Sequence, residues 1–166
     1  MPMNPWLNAL REGAISGSAA SVLSTLALGI AGRVQAGSWT APTNSTSQWV
    51  WGRPALHVDA ATWRHTATGY AIHHTASVFW AVLHARSTRA LLLPNRPGPA
   101  VAAGLAVAAV ACLADYRATP RRFTPGFEHR LSRPAMALVY GAFGLGIALA
   151  SLAWRSREAR LGRGRR

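Results

Sequence analysis

The stretch PAMALVYGAFGLGIALASLAW, residues 134–154, contains no charged side chain and ends against Arg155. Crossing the hydrocarbon core of a bilayer takes about 20 mostly apolar residues in helix, and this run meets that length. A second run, PAVAAGLAVAAVACLA at 99–114, is as apolar and stops at Asp115. Upstream, GAISGSAASVLSTLALGIA at 13–31 is uncharged but rich in serine. HTATGYAIHHTASVFWAVLHA at 65–85 is bracketed by Arg64 and Arg86 and carries His65, His73, His74 and His84. Together these runs predict an all-α fold, an integral membrane bundle of four transmembrane helices in a single domain over 1–166. A basic tail follows at 155–166.

Composition agrees once charge is placed along the chain. Half of the 166 residues are hydrophobic, 14% are charged, and the net charge is +13. The mean hydropathy of +0.11 is low for a membrane protein only because arginines in the loops and tail offset the apolar runs. All 18 basic residues are arginine, which points to a GC-rich bacterial genome. A soluble nucleic-acid binder explains such charge but spreads it over amphipathic elements, and no aromatic platform accompanies the tail. Nucleic acid is therefore not an expected partner. The single cysteine, Cys112, forms no intramolecular disulfide and reads as a small buried residue.

Small residues recur every four positions within the runs. Gly13, Gly17, Ser21, Thr25 and Gly29 form one stripe; Ala100, Gly104, Ala108 and Cys112 a second; Ala142, Gly146 and Ala150 a third. Lipid gives no hydrophobic drive between helices, so close backbone approach along such stripes holds a bundle together. Trp63 and Trp154 at run boundaries, with Trp39, Trp49 and Trp51 in the first loop, fit an interfacial belt. Ser132 is placed to cap the fourth helix, with Pro134 in its first turn. Thr124-Pro125 is expected to open a short interfacial helix through Leu131.

An even number of spans puts both termini on one side. With the termini inside, ten arginines are cytoplasmic and eight lie outside, a bias favouring cytoplasmic termini. Arg155, Arg157, Arg160, Arg163, Arg165 and Arg166 in the tail are expected to contact anionic lipid headgroups. A signal peptide cut after Val34-Gln35-Ala36 is the competing reading of the first run; its apolar stretch is long for that purpose.

Ionisable residues inside a span are functional candidates because burying them in lipid is costly. His73 and His84, eleven residues apart, fall within about 20° of one helix face. Thr66, Tyr70 and Ser77 lie near that face, whereas His74 is rotated about 100° away. The first and third loops share one side of the membrane and bring His57, Asp59, His65, Asp115, Glu128 and His129 to it. His65, His73, His74, Asp115, Glu128 and His129 are thus a candidate polar, metal or proton site. The same groups equally suit ion pairs with neighbouring arginines. Bis-histidine haem ligation needs partners on facing helices, and the first and third runs contain no histidine. No phosphate loop, activated nucleophile or carboxylate pair is present, and no cofactor is called for.

Several short stretches carry a resemblance: Gln48-Trp49-Val50-Trp51-Gly52, Arg64-His65-Thr66, Gly69-Tyr70-Ala71-Ile72-His73-His74, Ser77-Val78-Phe79-Trp80-Ala81 and Thr124-Pro125-Gly126-Phe127-Glu128. They resemble a group of uncharacterised small proteobacterial inner-membrane proteins, distantly similar to the YagU-like proteins of unknown function. The resemblance implies a four-span inner-membrane protein and supplies no activity. The expected function is a non-enzymatic inner-membrane protein, accessory to a membrane complex or to an envelope pH or stress response, since histidine titrates nearest neutrality. The alternatives are a small transporter or metal- or proton-handling protein, working as a homo-oligomer, and a haem-binding membrane protein.

Overall fold

The computed structural model describes residues 4–89, 91 and 96–163, and among these there is no strand. Four long helices dominate: α1 (Pro5–Ala36), α4 (Thr68–Thr88), α5 (Pro97–Leu113) and α6 (Arg133–Arg163), with short α2 (Ala41–Thr46) and α3 (Gln48–Trp51) between the first two. Pro5–Ala36, Pro97–Ala118 and Arg133–Gly162 are each long and apolar enough to cross a membrane.

Local chemistry sets the helix ends. Asn4 caps α1 by accepting from the Trp6 amide at 2.9 Å, and Pro5 supplies a first turn that needs no donor. The first helix therefore begins eight residues before the uncharged run and takes in Arg11 and Glu12. It stops at Gly37, whose φ of +70° suits a residue without Cβ. A π turn over Trp63–Ala67 leads into α4, with Thr62 Oγ1 accepting from the His65 amide at 3.1 Å. Ser132 lies one residue before α6 and accepts from the Ala135 amide at 3.5 Å. That helix runs on through the tail to Arg163.

One expected element is different. Instead of a helix over 124–131 there are two 3-10 turns, Arg121–Phe123 and Phe127–His129. Gly126 between them has a φ of +88°, which no right-handed helix can continue through. Phe127 then turns inward, 3% exposed, and packs with Leu28, Leu131, Ala135 and Val139.

α1 packs against both α4 and α6, α5 packs chiefly on α6, and residues of all four meet in one apolar cluster around Ala20, Ala81, Ala108 and Ile147. The small-residue stripes make these contacts. Gly13 and Gly17 lie against the backbone at Val82 and Val78 of α4, and Gly146 lies against Ala20. Gly104 of α5 and Gly144 of α6 face each other so closely that a Cβ on either would strike the other's carbonyl. α4 and α5 touch only sparsely and leave a groove of about 600 Å³ between them.

The bundle has two distinct ends. At the end where α1 starts and α4 and α6 finish, Glu12 binds Arg155 at 2.7 Å and Arg89 at 3.1 Å, and Arg89 also binds Glu158 at 2.8 Å. At the opposite end the segments 37–67 and 114–132 meet. Gln48 Nε2 and Trp49 Nε1 both donate to the Thr124 carbonyl, at 2.9 and 3.1 Å. Asn44, fully buried, donates to the carbonyls of Val58 and Ala60 and accepts from Thr66 Oγ1.

Candidate functional site

Buried polar side chains inside an apolar bundle must find partners within it. In the half of the bundle nearer the loops, two polar couples form between helices. His73 Nε2 on α4 lies 2.8 Å from Ser24 Oγ on α1. The same Ser24 hydroxyl lies 2.7 Å from the Ala20 carbonyl and 3.3 Å from the Ser21 carbonyl, so it donates to its own helix or to His73 according to the histidine tautomer. Tyr140 on α6 donates to Asp115 Oδ2 at 2.5 Å, just beyond the end of α5.

Both couples line one cavity of about 70 Å³, whose walls include Trp80 and Phe143. That volume holds a water or two, or a very small solute. Trp49 and Pro125 stand at its loop end. The arrangement sets a carboxylate–phenol couple and an imidazole–hydroxyl couple on the wall of one small space, where they can hydrogen-bond a small polar guest.

The candidate residues separate into distinct places. His73 and Asp115 share this cavity. His65 is held in the loops, its Nδ1 3.1 Å from Ser47 Oγ. His74 sits beside Tyr70, ring centroids 5.8 Å apart, and its buried Nδ1 has no hydrogen-bond partner among the described residues. Glu128 accepts from Tyr116 at 3.4 Å, and His129 beside it is exposed. Among the described residues no three His, Cys, Asp or Glu side chains converge as metal ligands would.

The polar face of α4 holds Ser77, 2% exposed, and His84, also 2% exposed, but not Tyr70, which is 37% exposed. A rotation of about 60° from His73 is enough to carry Tyr70 off the interior face. Among the described residues neither ring nitrogen of His84 has a hydrogen-bond partner.

The tail departs from a row of headgroup-binding arginines at its first member. Arg155 is buried, and its guanidinium binds Glu12, the Thr88 carbonyl and the Thr88 hydroxyl. Arg157 and Arg160 are exposed along the last turns of α6. The side chain of Arg163, and Arg165 and Arg166 altogether, lie outside the described residues.

Ser24 and Tyr140 of the cavity, and Glu12 at the terminal end, are the buried polar residues that pattern reading passes over. Glu12 was the discoverable one: an acid one residue before the first apolar run faces an arginine one residue after the last, at the same end of an up-and-down bundle. Ser24 is one of several serines in α1 and carries no signal of its own. Tyr140 lies in the apolar run that defines α6. Comparison with known proteins returns no matching family model, no matching curated protein and no matching solved structure, and bears in neither direction on the YagU-like resemblance.

Proposed function

We propose that the chain is a bacterial inner-membrane protein in which all four long helices cross the bilayer, with both termini cytoplasmic. In this reading it has no catalytic activity and serves as an accessory subunit to a larger membrane complex. The carrying observation is the way α4, the one long helix among the described residues that is not apolar enough on composition alone to count as a span, distributes its side chains. Ser77 and His84 face inward, whereas Ala71, Thr75, Phe79 and Leu83 form an exposed stripe. Even Thr75 on that stripe bonds its own helix, donating to the Ala71 carbonyl at 2.8 Å. A helix with its polar groups inside and its apolar groups outside suits lipid, not water. α1 supports the same reading, with Glu12, Ser16, Ser21 and Ser24 buried and Val22, Leu26 and Ile30 exposed.

The cavity favours a second reading, a proton-, metal- or solute-handling protein. His73 and Asp115 are ionisable groups on its wall, and such groups inside a span are functional by default. Purification in mild detergent separates the two. The accessory reading expects a colourless, metal-free protein with a larger membrane protein co-purifying in fixed ratio. Stoichiometric metal that is lost in His73→Ala would transfer the conclusion to the second reading, and a haem band would contradict both.

A further inference from the structure

Outside the bundle interior, the loop end carries a cleft of about 560 Å³ between the two connecting segments. Arg53 reaches it from the first segment; Arg121, Arg122, Glu128 and His129 reach it from the second. All three arginines are exposed, and among the described residues none forms an ion pair. Among the described residues that line it the one carboxylate, Glu128, accepts from the Tyr116 hydroxyl at 3.4 Å and lies 4.0 Å from His129 Nε2. Arg130, by contrast, is paired with Asp59 at 2.5 Å, so its charge is answered within the protein.

We propose that this cleft binds a phosphate group. Three guanidinium groups around one concavity repel each other and concentrate anions between them. A phosphate supplies what they lack: several acceptor oxygens and up to two negative charges, matched to the planar fork of arginine. His129 also lines the cleft, exposed, with its Nε2 4.0 Å from Glu128 Oε1. The arginines come from different segments, and the segments are fastened together by the Gln48 and Trp49 bonds to the Thr124 carbonyl. That fastening orders the cleft before a ligand arrives, which lowers the entropy lost on binding. Gln48 and Thr124 also line the cleft, whereas their neighbours Trp49 and Pro125 line the interior cavity. A phosphate held here therefore sits on the layer that closes the cavity at its loop end. The proposal does not depend on the number of spans or on the accessory reading.

Two sources share this chemistry, a lipid headgroup and a soluble phosphate. The test uses full-length protein in non-ionic detergent, titrated calorimetrically with inorganic phosphate at low salt. In parallel, the protein is placed in nanodiscs of phosphatidylglycerol or phosphatidylcholine and retained lipid is measured by native mass spectrometry. Arg53→Gln, Arg121→Gln and Arg122→Gln combined is compared with Arg64→Gln, Arg117→Gln and Arg133→Gln, which removes as much charge from the same end. The expected result is one bound equivalent, weakened roughly tenfold or more in the first variant and little changed in the second. Phosphate binding without lipid retention identifies a soluble ligand; selective retention of phosphatidylglycerol alone identifies a headgroup. No binding of either, or equal weakening in both variants, overturns the proposal.

Discussion

The two ends of the bundle are held by opposite chemistry. At the terminal end a few long charged side chains do the work: Glu12, fully buried, takes both Arg155 and Arg89, and ties α1, α4 and α6 at one point. At the loop end the ion pairs among the described residues are the isolated Arg130–Asp59 and the longer His129–Glu128, and neutral side chains bonding to backbone carbonyls hold the segments together, with Asn44 at the centre. A buried ion pair is not intrinsically stabilising, since desolvation offsets its attraction, but it is costly to break from one side. A hydrogen-bonded hub divides its contribution among several modest bonds. The terminal end should therefore fail abruptly and the loop end by degrees.

The largest expected effect follows from that asymmetry. Arg155→Ala leaves Glu12 buried with Arg89 alone and should cost about 3–5 kcal/mol in detergent unfolding. Glu12→Leu combined with Arg155→Met should recover most of that loss, because an apolar pair removes the desolvation cost as well. If the double variant were as unstable as the single one, the terminal end would be held by packing and not by charge.

Next in size is Asn44→Ala at the loop end. It frees the Val58 and Ala60 carbonyls and the Thr66 hydroxyl, and should cost about 2–3 kcal/mol. A loss equal to that of Arg155→Ala would erase the distinction between the ends. Between the ends, Gly104→Leu forces α5 away from Gly144 and should cost about 1–3 kcal/mol through overpacking. The smallest effect belongs to Arg157→Ala, an exposed tail position, with stability within about 0.5 kcal/mol of the parent. A large change there would show that charge along the whole tail, and not Arg155 alone, secures the terminal end.

These regions differed equally in how well the sequence disclosed them. The positions of the long helices followed from apolar length, and close packing from the four-residue spacing of small side chains such as Gly13, Gly17 and Gly104. Topology alone brought the two loop segments together. The turn at Gly126 was hidden, because a glycine beside Thr124-Pro125 fits a helix start and a left-handed break alike. The site was legible only in its ionisable members. His73 and Asp115 stand out in apolar surroundings, but their partners Ser24 and Tyr140 are ordinary residues of apolar helices. Only the packing of α1 on α4, and of α5 on α6, selects them. The tail was read by composition, which does not register that Arg155 points inward from the same helix that exposes Arg157.

The proposed topology has α4 crossing the membrane with the other three long helices, and side-selective cysteine labelling tests it most directly. Cys112 is the only native cysteine, so Cys112→Ser supplies the background. Single cysteines then go to the exposed positions Leu7, Ala61, Ser87 and Gly162. Leu7→Cys, Ser87→Cys and Gly162→Cys should label from the cytoplasmic side, and Ala61→Cys only from the opposite side. Labelling of Ala61→Cys and Ser87→Cys from the same side, with Leu7→Cys and Gly162→Cys on opposite sides, would show three spans and contradict it.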